Sequence, residues 1–301
     1  MAFKPMGAAT INDLSTQVVF PCYVAPKYDG IRCSVREGVA YSKKMKPLPN
    51  RWLQQQAATG EYDGLDFEVV VGAPTALDVW NKSQSFVMSR DKRPEDFPKD
   101  RVRFYVFDDH TDERAIRKDR VQRAKKRCAD LQYCEMVPYK VCKDALQVME
   151  WEAKHVGDGY EGIMISSPNV MYKFGRSTVR EQGLMKFKRF YDAEAEIIDC
   201  REELHNGNEA TTSELGNTKR SSHAANKYGK GTLGMFVVKD LETGVIFGVG
   251  SGIDAADRKR LWEIRDTLGG KVITYKAQKT EVAGGVPRFP SFKGFRDEVE
   301  L

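Results

Sequence analysis

The feature that most constrains this chain is a change of texture near residue 190. Before it, short runs rich in β-branched and aromatic residues alternate with helical stretches. The runs are LDFEVVV at 65–71, VRFYVF at 102–107, GIMIS at 162–166 and LMKFK at 184–188. After about Asp192 the chain reads as short strands, AEAEIIDC, LGMFVVKD, GVIFGVG and KVITYKA, with one helix from near Asp254 to Gly269-Gly270. A length of 301 residues favours two domains over one, and the change places their boundary near 189–192. The expected fold class is α+β. Residues 1–190 form a domain of mixed and antiparallel sheets with helices, and residues 191–301 form a small closed β-barrel of the OB kind.

Within the first part, Ile116, Val121, Ala124, Cys128 and Leu131 recur at helical spacing after Thr111. The basic run RKDRVQRAKKR inside that helix reads as its solvated face. In the second part a polar insertion, 205–232, separates the first two strands and carries Lys219, Arg220, Lys227 and Lys230 against Glu209 and Glu214. It is either a floppy hairpin or an arm that orders on a phosphate backbone. The net charge of +5 suits a polyanionic partner without specifying one. No run approaches the roughly eighteen apolar residues of a membrane span, and MAFKPMGAAT has no secretory h-region. A cytoplasmic protein is expected, or one of the host cytoplasm or nucleus if viral. The six cysteines show neither CxxC pairs nor histidines at zinc spacing, and read as reduced, mostly buried thiols.

The chemistry concentrates in PKYDGIR at 26–32, where strand-like flanks surround a lysine, an acid, a glycine and an arginine. An amine is a nucleophile only when neutral, a form that burial or neighbouring cations favour. Asp29 can position a reacting group or a metal, Gly30 permits a tight turn beside a ligand, and Arg32 offers a planar fork for phosphate. Standing alone, the motif reads equally as a charged Asp-Gly turn. It has company. Strand alternation puts Asp66 and Glu68 on one face of LDFEVVV, and Phe107 on the less apolar side of RVRFYVFDD, as a base-stacking ring or a core aromatic. Glu161 heads a buried strand and needs a metal or a cationic partner. Lys186 and Lys188 share a face of LMKFKRF, where a phosphate between them relieves their repulsion.

In this order the motifs resemble those of the ATP-dependent DNA ligases, within the covalent nucleotidyltransferase superfamily. KYDGIR looks like the nucleophile motif, FYVFDD and GYEGIMI like the base-stacking and metal motifs, and LMKFK like the lysine pair. YKFGRST, KRSSH and PRFPSFKGFR extend the resemblance into both domains. It implies a nucleotidyltransferase domain and an OB domain whose insertion closes as a latch around duplex DNA. It implies ATP and Mg2+ as cofactors, nicked duplex DNA as partner, no membrane, and a monomer. Lys27 would be the nucleophile that carries AMP, with Asp29 beside it. Glu68 would hold the ribose, Phe107 would stack on adenine, and Glu161, with Glu68, would support the metal. Lys186 and Lys188 would contact the α-phosphate, while Arg32 and Arg176 would grip nick phosphates. Arg288 and Arg296 would orient the leaving pyrophosphate.

Two positions depart from the family pattern. Ser42-Lys43 replaces Ser-Arg, which turns a bidentate phosphate contact into a point charge, and Asp66-Phe67-Glu68 replaces Asp-Gly-Glu. Three other readings are an mRNA capping guanylyltransferase that uses GTP, an RNA ligase, and a catalytically dead clamp on nicked DNA. If phosphate contacts dominate, binding to a nicked duplex falls steeply as salt rises. A filter-binding titration at several salt concentrations checks this, and a salt-independent affinity would contradict the latch.

Overall fold

The structure, a computed structural model, describes residues 3–212, 218–221, 226–278 and 285–296. The chain divides into two compact units, Met1–Lys188 and Arg189–Leu301.

The first unit is built along the chain from β1 (Ala9–Ile11), α1 (Leu14–Gln17), β2 (Cys22–Pro26), β3 (Ile31–Arg36), β4 (Val39–Tyr41), α2 (Arg51–Ala58) and β5 (Leu65–Val71). It continues with α3 (Val79–Val87), β6 (Val102–Asp109), α4 (Arg117–Asp130), β7 (Cys134–Met136), β8 (Lys140–Cys142), α5 (Ala145–Gly157), β9 (Ile163–Ser166) and β10 (Met185–Phe187). Two five-stranded sheets result, ordered β1-β10-β9-β2-β8 and β4-β3-β5-β6-β7. Alternation in β5 works as its sequence implies: Phe67, Val69 and Val71 enter the core with Leu53, Phe86 and Phe104, while Asp66 and Glu68 take the other face. Helix ends are fastened by side chains. The Asn50 Oδ1 accepts from Leu53 N at 2.8 Å, and its amide donates to the carbonyls of Phe86, Ser89 and Lys92. The stretch Lys27–Gly30 is the crossing from β2 in the first sheet to β3 in the second.

The basic helix differs from the solvated face expected of it. Arg117 and Arg120 of α4 are fully buried on Asp108. Arg117 Nη1 donates to Asp108 Oδ2 at 2.7 Å, and Arg120 Nε donates to Oδ1 at 2.8 Å. Arg123 and Arg127 pair with the neighbouring Asp109 at 3.2 and 3.1 Å. Residues 117, 120, 123 and 127 lie on one helical stripe, so α4 presents four guanidinium groups to the Asp-Asp end of β6. Lys118, Lys125 and Lys126 take the water-facing side. The burial was hidden because an arginine looks the same in sequence whether or not a carboxylate waits inside.

The second unit comprises β11 (Tyr191–Asn206), β12 (Ala210–Thr212), β13 (Thr218–Arg220), β14 (Lys227–Asp240), β15 (Ile246–Val249), α6 (Ala255–Glu263), β16 (Val272–Gln278) and β17 (Arg288–Phe295). Five strands form one sheet ordered β15-β14-β11-β16-β17 over a core that includes Ile197, Phe236, Val238 and Tyr275. Two expectations change here. The first two strands are long, because the β11–β14 ladder continues as far as Asn206↔Lys227. Part of the supposed insertion is therefore strand, and a β12–β13 ribbon follows it. The expected closed barrel is an OB-like sheet. Among the described residues its two edges meet at one parallel bridge, Ser251↔Ser291, where Phe292 N donates to Ser251 O at 2.8 Å. The β17 strand follows β16 through two register breaks.

The Asp108 cluster gives a stability test. Burial alone would raise the Asp108 carboxyl, but Arg117 and Arg120 outweigh it and hold the group below the ordinary 3.8. A depressed carboxyl contributes stability above its unfolded value, and that contribution is lost as pH falls through the lower folded value. Asp108→Ala, which strands two buried cations, is expected to cost about 3–5 kcal/mol in urea unfolding near neutral pH. A loss below about 1 kcal/mol would mean that water reaches the two arginines.

Candidate active site

Strand ends from both sheets converge on a cavity of about 280 Å³. Lys27 enters from the crossing, Glu68 from β5, Phe107 from β6, and Lys186 and Lys188 from β10 and its end. Two glycines allow the approach. A Cβ on Gly30 would lie 2.4 Å from Val69 O and 2.9 Å from Glu68 Cγ, so only glycine lets the crossing press against β5. The requirement is close packing rather than the turn expected from sequence. Gly162, at φ 147°, lies in the region that favours glycine. Its carbonyl accepts from Lys27 N at 2.9 Å, and a Cβ there would meet Phe187 O at 2.5 Å. Gly162 thus sets Lys27 beside the lysine pair.

Glu161 lies between two lysines. Its Oε2 is 2.5 Å from Lys27 Nζ, an ionic contact without hydrogen-bond alignment, and its Oε1 accepts from Lys188. The partner demanded by a buried carboxylate is therefore cationic side chains. Arg32 donates to Asp66 through Nε at 2.8 Å and again through Nη2, and to Met6 O through Nη1 at 2.7 Å. Tyr172 OH donates to the same Asp66 at 2.9 Å. The planar fork expected to grip phosphate is thus closed around a protein carboxylate. Arg32 still lines the cavity, with its guanidinium carbon 5.2 Å from the Phe107 centroid. Asp66 was read from the sequence only as a companion of Glu68. Its role as the seat of Arg32 follows from the β3–β5 register, Arg32↔Glu68 and Ser34↔Asp66, which sequence alone does not supply.

Phe107 occupies a β-bulge. The β5–β6 register passes from Phe67↔Val106 to Asp66↔Asp108 and skips Phe107. Val102, Phe104 and Val106 face the core of the second sheet, and Phe107 packs with Tyr28, Tyr105 and Val137 on the other side. A second cleft adjoins the first and shares Ala8, Lys43 and Lys186 with it. Lys4, Lys44 and Arg176 also line it, and Lys4 and Lys44 were not singled out from the sequence. Burial first, and then the surrounding cations, pull Lys43 and Lys186 below the usual lysine range.

Asp29 is part of the crossing but does not line the cavity. Arg288 and Arg296 belong to the second unit, where Arg288 opens β17 and Arg296 pairs with Glu194. Lys227 is exposed, and Lys230 pairs with Glu203 at 2.5 Å. Lys219 and Arg220 fall in β13, and their side chains lie outside the described residues.

The first unit is thus two sheets whose strand ends line a lysine-rich cavity, and the second is an OB-like sheet, an arrangement similar to that of solved DNA ligases. Comparison with known proteins agrees. Residues 226–296 match the family described as DNA ligase OB-like domain. Two structures of Chlorella virus DNA ligase-adenylate superpose with TM-scores of 0.53 and 0.52 at 28% and 27% identity. The first covers 99% of both chains, and the second covers 97% of this chain and 99% of that one. A Lig E DNA ligase shares the fold at a TM-score of 0.67 and 20% identity, over 98% of this chain and 100% of its own. Compared by sequence with curated proteins, the chain has no significant match. The resemblance to ATP-dependent DNA ligases therefore extends over nearly the whole chain.

Glu68 makes the cavity pH-sensitive. Burial, partly offset by Lys27 and Arg32, pushes its carboxyl up to about 7 from the ordinary 4.5. A carboxyl raised on folding contributes stability below its unfolded value and loses it as pH rises through its folded value. Between pH 4.5 and 7 the protein is therefore expected to lose stability relative to Glu68→Gln. Urea midpoints for both proteins across that range check it; parallel curves would show that Glu68 ionises normally.

Proposed function

We propose that the chain is an ATP-dependent DNA ligase that seals 3′-hydroxyl/5′-phosphate nicks in duplex DNA through a lysyl-AMP and a DNA-adenylate. One observation carries this reading: Lys27 shares a single cavity with the Phe107 ring, the Glu68 carboxyl and three further lysines, Lys43, Lys186 and Lys188. That set combines a nucleophile, a base platform, a hydroxyl acceptor and a cradle for phosphate.

In the first step Lys27, once its ammonium has lost a proton, attacks the α-phosphorus of ATP. A P–N bond forms, the bond to pyrophosphate breaks, and the amine proton leaves, with Glu161 in contact to accept it. Phe107 stacks on adenine, Glu68 accepts from the ribose hydroxyls, and Lys186 and Lys188 hold the α-phosphate. Arg32, closed on Asp66, contributes fixed positive charge rather than a bidentate clamp. AMP then passes to the 5′-phosphate of the nick, bound by Lys43 and Arg176 in the adjoining cleft. The 3′-hydroxyl finally displaces AMP and joins the strand. Arg288 and Arg296 orient the pyrophosphate of the first step, and Lys219, Arg220, Lys227 and Lys230 belong to the arm that holds the duplex. A single chain suffices, so the enzyme acts as a monomer.

Among the described residues no group of three or more histidine, cysteine or acidic side chains converges. Glu68 lines the cavity and Glu161 contacts Lys27, and these two carboxylates would hold magnesium in its usual setting, completed by substrate phosphate and water. When bound, the ion would neutralise charge on the non-bridging phosphate oxygens.

Mass spectrometry after incubation with magnesium and either ATP or GTP tests the proposal. The expected result is an AMP-sized adduct with ATP alone, absent in Lys27→Ala. A GMP-sized adduct would favour the capping reaction, and no adduct with either nucleotide would sink the covalent mechanism.

A further inference from the structure

The Phe107 ring owes its position to side chains rather than to the sheet. The β5–β6 register skips Phe107, so the ladder that fixes its neighbours does not fix it. Its carbonyl instead accepts from Tyr139 OH at 2.8 Å and from Arg117 Nη2 at 3.3 Å. The same Nη2 donates to Tyr139 OH at 2.8 Å, and Nη1 of Arg117 is anchored on Asp108 at 2.7 Å. A chain of bonds thus runs from the buried Asp108 through Arg117 to Tyr139 and back to Phe107. Arg117, Tyr139 and Phe107 all line the cavity. Burial keeps the Tyr139 phenol protonated, so it remains a donor at neutral pH.

We infer that Tyr139 is a positioning residue for purine binding, acting by holding the bulged Phe107 backbone so that its ring lies flat against the nucleotide base. This rests on the ligase reading above and adds to it the group that sets the base platform. The hydroxyl is the natural point of control. Without it, the carbonyl keeps only the longer bond from Arg117, and the bulge has no ladder partner to restrain it. Stacking operates equally on bound ATP and on the transition state, so misplacing the ring weakens binding without slowing the chemical step.

Tyr139→Phe isolates the effect, because it removes one oxygen and keeps the ring that packs 5.5 Å from Tyr23. The expected result is a KM for ATP in self-adenylylation about five-fold higher, as for one lost hydrogen bond. The rate at saturating ATP should be unchanged. ATP affinity measured by calorimetry on Lys27→Ala protein, which cannot react, should fall by the same factor. In a Phe107→Ala background, Tyr139→Phe should then have no further effect on affinity. A full additional loss in that background would overturn the inference, since Tyr139 would be acting on the nucleotide directly. So would an unchanged KM while the unsubstituted protein adenylylates normally. Failure of the unsubstituted protein to take up AMP would overturn the ligase reading and the inference with it, so the two failures are distinguishable.

Discussion

The cavity exists because the chain passes from one sheet to the other in four residues, and because nothing but a hydrogen atom stands between Gly30 and the backbone of β5. That close approach sets Lys27 opposite Glu68 and leads directly into β3 with Arg32. Gly162 makes the matching approach on the other side, where Lys27 N is tied to the turn before β9. With a side chain at either position the two sheets would move apart. Lys27, the carboxyls and the lysine pair would then lie on separate walls.

Charge dominates what this geometry can do. Lys27, Arg32, Lys43, Lys186 and Lys188 face the cavity, while Glu68 is the acidic side chain in its lining. Other carboxylates close by are already engaged, Glu161 by two lysines and Asp66 by Arg32. Burial strengthens the repulsion among the remaining cations, so an anionic ligand is the natural complement of the site. The same economy of acids appears one layer back, where Asp108 and Asp109 receive four arginines of α4. The Phe107 backbone is thus fastened to a buried ionic cluster, a seat that resists displacement because breaking it exposes uncompensated charge.

Much of this was legible in one dimension. Period-two alternation assigned Phe67, Val69 and Val71 inward and Glu68 to the opposite face, which lines the cavity, and the helix after Thr111 was visible in its apolar spacing. The fate of Arg117 and Arg120 was not. Their burial depends on Asp108 arriving from β6, and a basic helix with no visible acid partner reads as a wet surface. Likewise the fork of Arg32 looked open to phosphate because its partner, Asp66, is 34 positions away along the chain.

The sequence by itself determined which chemistry was available, because nucleophile, ring, carboxyls and lysines are types that can be read in order. It also carried the change of periodicity near residue 190, which reflects which faces can be buried. Only the tertiary structure decided which charges neutralise one another and which remain for a ligand. Ion pairing falls off within a few ångströms, and separations between residues remote in sequence are set by sheet register and bulges. The bulge at Phe107 is the clearest instance: the residue is readable as an aromatic in a strand, yet what holds it comes from α4 and from the segment between β7 and β8.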